Sequence, residues 1–145
     1  WIAQEQIKKV HVVSMNHLDV GYNGIYPTTG FIVNVLNRYF DVYFPRAMAM
    51  SAAMRASGTS DRFIYTTHPF LVSLYVDCPP NFVLNGMSLH CPTSTQVDAM
   101  EGALRRGDIV MHAGPFNVEI ENVGDPGLWG DAVALSRDLA QRYGI

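Results

Sequence analysis

The chain is poor in positive charge. Its formal charge is −3 and the longest basic cluster is the pair Arg105-Arg106, which leaves no electrostatic footprint for a nucleic-acid backbone. It also lacks an apolar run that fits a bilayer, which takes about 20 apolar residues in a row. The most apolar stretch, GFIVNVLNRYFDVYF, is interrupted by Asn34, Arg38 and Asp41 and reads as a helix buried over much of its surface. No Asn-x-Ser/Thr acceptor is present, which removes N-glycosylation. Cysteine is scarce: Cys78 and Cys91 stand alone, each followed by proline. No CxxC pair exists to build a zinc ribbon. One disulfide in an oxidising compartment and two free thiols both remain open. Internal repeats and low-complexity segments are absent. A signal peptide is absent too, but the chain opens on Trp1, so that says nothing about secretion, and the compartment stays open.

What is there suits one core. With 145 residues, 48% hydrophobic and 16% charged, residues 1–145 read as part of a single globular domain. KKVHVVSMNH is β-branched and apolar, a short buried strand over about residues 9–15. The turn-rich NGIYPTT follows, with Thr28 and Thr29 as possible caps of a helix that runs to about Tyr43. Pro45 fits the first turn of a second helix that Gly58 closes. RFIYTTHP is a second strand, and FLVSLYVD suits either strand or helix. Residues 78–93 read as a loop. STQVDAMEGALRRG is a helix with Thr95 and Asp98 at capping-box spacing and Val97, Met100 and Leu104 on one face. GDIVMHAGPF is a third strand. In the last helix Asp125 caps, Pro126 suits the first turn, Gly144 stops it, and Leu128, Ala132, Leu135, Leu139 and Tyr143 form one stripe.

Strands that are short, apolar on both faces and separated by helices predict an α/β fold of parallel βα units. A closed eight-fold barrel takes about 250 residues, so three units are less than half of one. The alternatives are a small open sheet or a piece of something larger.

In such folds ligands gather at the carboxyl ends of the strands. The first strand delivers His17 and Asp19, whose i, i+2 spacing puts both on one face if the backbone is extended. Imidazole nitrogen and carboxylate oxygen are ordinary zinc donors, although a polar turn explains the same residues. The second strand delivers Thr67 and His68, the latter a candidate substrate contact. The third carries His112, which reads as structural, then Asn117, Glu119 and Glu121; the two glutamates alternate with Val118 and Ile120, so a half-exposed edge is the plainer explanation for them. His11 reads as a core histidine, His90 as a surface residue, and Met48, Met50 and Met54 as core filler.

HVVSMNHLDVGY resembles the opening strand of glycoside hydrolase family 38, the α-mannosidase family, in a divergent branch rather than its lysosomal members. RRGDIVMHAGPFNVEIEN with GLWGDAVALSRDLAQRYG is similar to the family's third βα unit. The resemblance implies the first three βα units of a parallel (β/α)7–8 barrel. It also implies a zinc ion held by His17 and Asp19, Tyr22 stacking on a sugar, and a retaining glycosidase acting on α-linked sugars. His68, Asn117, Glu119 and Glu121 are the further candidate substrate contacts. YTTHPFLVSLYVDCPP departs from the family's second unit, so sugar and linkage are not read from it. The family's nucleophilic aspartate falls on the next strand, beyond Ile145, so the resemblance makes this chain an N-terminal fragment whose partner is the remainder of its own barrel. Neither Glu119 nor Glu121 matches the nucleophile position. Two other readings stand beside it. A polysaccharide deacetylase-like metal hydrolase would need an Asp-Asp pair that NHLDV lacks. A degenerate carbohydrate- or metal-binding module would keep Tyr22 without a nucleophile.

Overall fold

A computed structural model describes residues 8–10, 13, 15, 31–84, 86–114 and 124–145, leaving aside the side chains of residues 31–34 and 84. The helical stretch from Phe31 to Ala56 runs without a break. It comprises α1 (Phe31–Arg38), a π-helical turn (Tyr39–Tyr43) and α2 (Phe44–Ala56). The wide turn has a local cause. Pro45 has no N–H to give and its ring would crowd the carbonyl four residues back, that of Asp41. The helix widens just before it, with the Phe44 N–H donating to the Tyr39 carbonyl, five residues back. Two helices separated near Tyr43 are therefore one helix with a wide turn.

β1 (Tyr65–Thr67) leads into α3 (Pro69–Val76), so FLVSLYV is helical. Pro69 occupies the first position, where a missing N–H costs nothing. A hairpin follows, β2 (Val83–Leu84) with β3 (Met87–Ser88) antiparallel, within what reads as loop. The Cys78–Cys91 disulfide closes this segment at its base. α4 (Ser94–Arg105) is capped two residues ahead of the expected pair, Thr95 with Asp98. The Thr93 hydroxyl accepts from the Gln96 N–H, and the Gln96 side chain accepts from the Thr93 N–H. The capping box is Thr93 with Gln96, because Thr93 is the residue whose backbone is still extended. β4 (Ile109–Met111) and α5 (Pro126–Tyr143) complete the described elements. Asp125 caps α5 and Gly144 ends it at φ 68°, as the sequence predicts.

β1 and β4 pair in parallel, with Tyr65, Thr66 and Thr67 opposite Ile109, Val110 and Met111. Met15 forms a parallel bridge with Thr66 on the other side. The second and third strands expected from the sequence are thus parallel neighbours, whereas of the first only the Met15 bridge is seen, and Val10, Val13 and Met15 are exposed rather than buried. Among the described residues this parallel sheet is small, and the hairpin is a separate sheet.

Side chains alternate across the sheet. Tyr65 and Ile109 face the helices, where Ile109 is fully buried and Tyr65 lies edge-on to Phe44 at 6.2 Å. The core there holds Leu36, Phe40, Phe44, Leu71, Tyr75 and Leu104. Leu139 and Tyr143 of α5 join it, whereas Leu128 at the head of the same stripe is 62% exposed. Met48 packs on the core, but Met50 is 52% exposed and fills nothing. Tyr75 receives Phe40 and Phe44 edge-on at 5.0 and 5.4 Å. Its hydroxyl is buried without a hydrogen-bond partner among the described residues. Burial pushes the phenol pKa up, and the charge of Asp41 adds to it.

The base of the sheet is tied by Asp108. Its carbonyl accepts from the Tyr65 N–H at 2.9 Å. Its buried carboxylate pairs with Arg55, Arg106 and, at 3.6 Å, Arg62. Burial alone would raise the Asp108 pKa. Hydrogen bonds from Arg106 and Arg55, with their charge, outweigh it and hold the carboxyl below its ordinary range.

Asp108→Asn should lower the unfolding free energy by about 2–3 kcal/mol, the scale of hydrogen bonds to a charged group, measured by urea denaturation at neutral pH. Because the folded-state pKa is depressed, this contribution is complete above the unfolded-state pKa. It is lost as pH falls through the lower folded-state value, so acid should weaken the parent more steeply than the variant. Tyr75→Phe has the opposite expectation: removing an unpartnered buried hydroxyl should leave stability unchanged or raise it by about 1 kcal/mol. A loss of that size in the same assay would mean the hydroxyl is paired.

Candidate functional site

A histidine directly follows each of β1 and β4. His68 follows Thr67 with its backbone still extended (φ −82°, ψ 135°), so its ring shares the face of Thr66, turned away from the helix-side core. His112 follows Met111, and its N–H continues the ladder to the Thr67 carbonyl at 3.3 Å. The two rings meet: His112 Nε2 lies 2.8 Å from His68 Nδ1, with ring centroids 4.3 Å apart and planes at 84°. His68 is only 1% exposed, while His112 is half-buried. Thr67, between them in the ladder, keeps a buried hydroxyl with no hydrogen-bond partner among the described residues.

Burial lowers the His112 pKa, and a hydrogen bond with the Gly114 backbone acts in the opposite direction without overcoming it. That neutral ring lines a groove of about 660 Å³ along β4, whose walls include Leu104, Ile109, Met111, Ala140 and Ile145. At the α5 side of this groove the Ser136 hydroxyl donates to the Ala113 carbonyl at 2.8 Å, tying the segment after β4 to the helix.

A second polar cluster lies under the hairpin. The buried Asn37 side chain donates to the Ser88 carbonyl at 3.0 Å and accepts from the His90 N–H at 2.8 Å. His90 Nδ1 in turn lies 2.8 Å from the Asp41 carboxylate, both exposed. His90 is thus at the surface, as its sequence context suggests, and the disulfide beside it settles the state of the two cysteines in this structure.

Of the residues singled out by sequence, His68 lies at the carboxyl end of β1, enclosed and against His112. His17, Asp19, Tyr22, Asn117, Glu119 and Glu121 lie outside the described residues, as does His11. Sequence reasoning gave His112 a purely structural part and missed its contact with His68. The signal was available: both histidines stand directly after a short apolar strand, at equal offsets from the paired residues Thr66 and Val110.

No three His, Cys, Asp or Glu side chains among the described residues form a group able to hold a metal ion. His68 and His112 each spend one ring nitrogen on the other. No helix among the described residues is long and apolar enough to cross a membrane. No family model, curated protein or solved structure matches the chain.

The depressed His112 pKa gives a pH test. Folding favours the neutral ring, so its contribution is complete above the unfolded-state pKa, about 6.5, and is lost as pH falls through the lower folded-state value. Urea titrations at successive pH values should show parent stability falling below about pH 6.5. His112→Gln should fall less steeply.

Proposed function

We propose that the chain is the N-terminal portion of a zinc-dependent, retaining glycosidase resembling the α-mannosidases, which acts on α-linked sugars when its barrel is complete. The observation that carries this reading is the parallel register. Thr66 of β1 pairs with Val110 of β4 and, by an isolated parallel bridge, with Met15, so the three stand in one row. In the sequence, His17, His68 and His112 each stand two residues beyond that row. Chemistry at the carboxyl ends of parallel strands is where α/β enzymes place it. A histidine at the same offset in all three segments supports a shared site over an accidental polar turn.

In this reading His17 and Asp19 hold zinc, and Tyr22 offers a flat apolar face to the sugar ring. Asn117, Glu119 and Glu121 supply polar contacts to hydroxyls. Zinc, when bound, would steady the charge on the sugar oxygens. His68 and His112 form the polar floor beneath. The apolar groove along β4 supports the barrel as well. In a parallel ladder alternate residues bond to opposite neighbours. The Tyr65 bond to Asp108 and the His112 bond to Thr67 assign Val110 to β1, leaving the backbone groups of Ile109 and Met111 directed at the groove. A further strand of the barrel would lie there.

Zinc content decides the metal half of the reading. The complete polypeptide, purified, should carry about one zinc per molecule, and His17→Ala should fall well below that while retaining its far-ultraviolet dichroism. Full zinc in the variant would remove the metal assignment. Zinc retained together with sugar binding, but without hydrolysis in the complete polypeptide, would favour a non-catalytic carbohydrate-binding module.

A further inference from the structure

We propose that the Cys78–Cys91 disulfide is a thiol-exchange site, attacked at the Cys91 sulfur, whose opening releases the hairpin from the long helix. The two sulfurs are not equally placed. Cys91 is exposed, whereas Cys78 is half-buried and packs against the helix-side core. An incoming thiolate attacks the sulfur it can reach, and the other cysteine leaves. Access therefore selects Cys91. The leaving group agrees with that choice: Cys91 Sγ lies 3.5 Å from the Pro79 carbonyl oxygen, a poor place for a departing negative charge.

The reductant is a small thiol of the glutathione class. Its thiolate bonds to Cys91 Sγ as the bond between the two cysteine sulfurs breaks. The electron pair leaves on Cys78, which takes up the proton that the first thiol gave away. A second thiolate attacks the sulfur of the bound thiol, forms the small-molecule disulfide and frees Cys91. Two small thiols are thereby oxidised and two cysteines reduced. Neither step depends on the glycosidase reading.

Once the link is open, little else holds the hairpin. Its strands are two residues each, too short to persist alone, and they form a sheet separate from β1 and β4. Phe82 and Val83 are exposed, and among the described side chains between the cysteines only that of Leu89 is buried. The remaining ties to the helix are the two Asn37 hydrogen bonds and the exposed pair of His90 with Asp41. Against them stands the chain entropy that the open loop recovers, which for a loop of this length favours release by about a hundredfold.

Treating the full chain with reduced glutathione in native buffer, then quenching with N-ethylmaleimide, captures the first step for peptide mass mapping. The expected product carries glutathione on Cys91 and maleimide on Cys78. Glutathione mainly on Cys78 would overturn the assignment, as would the absence of any adduct without denaturant. Hydrogen exchange of the oxidised and the fully reduced chain reads the release. Peptides from residues 79–90 should exchange about a hundredfold faster after reduction, while the amides of α2 and α4 stay protected. Unchanged protection in the hairpin would overturn the release. Loss of protection throughout the chain would overturn it too, making the disulfide a staple of the whole core. The double variant Cys78→Ser, Cys91→Ser should match the reduced chain; if it does not fold, the two measurements on the parent decide.

Discussion

Tyr65 donates its backbone N–H to the carbonyl of Asp108, and the carboxylate of the same residue gathers Arg55, Arg106 and Arg62. One residue thereby sets the first rung of the sheet and ties it to the end of α2, to the segment before β1 and to the end of α4. A buried carboxylate is costly unless its lone pairs are met and its charge is balanced. Here both conditions hold only in one arrangement of those three segments. The register of β1 on β4 follows from that constraint, and the register decides which side chains face the helices and which face away.

The two ends of this short pair do different work. At the base, charge on charge fixes position. At the carboxyl end, where a ligand site is expected, the contact is between two neutral-capable rings that exchange a single hydrogen bond. The strands are only three residues long, so few rungs separate the anchor from the histidines and little play accumulates between them. The hairpin clamp stands apart from both, with Asn37 holding it from the helix side and the disulfide from the chain side.

Much of the scaffold was legible because its signals are local. Asp125, Pro126 and Gly144 bound α5 through their own backbone preferences, and the runs before His68 and His112 gave β1 and β4 as a parallel pair. What sequence misjudged depended on contacts distant along the chain. The hairpin within residues 78–93 exists because Asn37, about fifty positions earlier, satisfies its backbone. FLVSLYV has no helical periodicity because it is buried nearly all round, so only its packing reveals it as helix. Thr93 outcompeted Thr95 as cap for a reason of chain direction that composition does not carry. The contact of His112 with His68 was not foreseen because its partner lies on another strand. His17 and Asp19, which carry the sharpest motif, lie outside the described residues, so the zinc assignment rests on resemblance and register.

The wide turn at Tyr39–Tyr43 has a consequence for how this protein tolerates change in length. An α-helix advances about 100° per residue, and the π turn holds one residue more than an α-helical turn needs. Five residues of a π turn sweep about the same angle as four residues of α-helix, so removing one residue there would restore regular winding and leave everything before it facing the same way relative to Phe44. Asn37 would keep its place under the hairpin while the aromatic core stayed seated. The same change of length within α1 or α2 would instead turn the clamp away from the core by about 100°. The segment is thus a slack turn on a single rod, the one stretch of it where a residue can be lost without swinging either cargo.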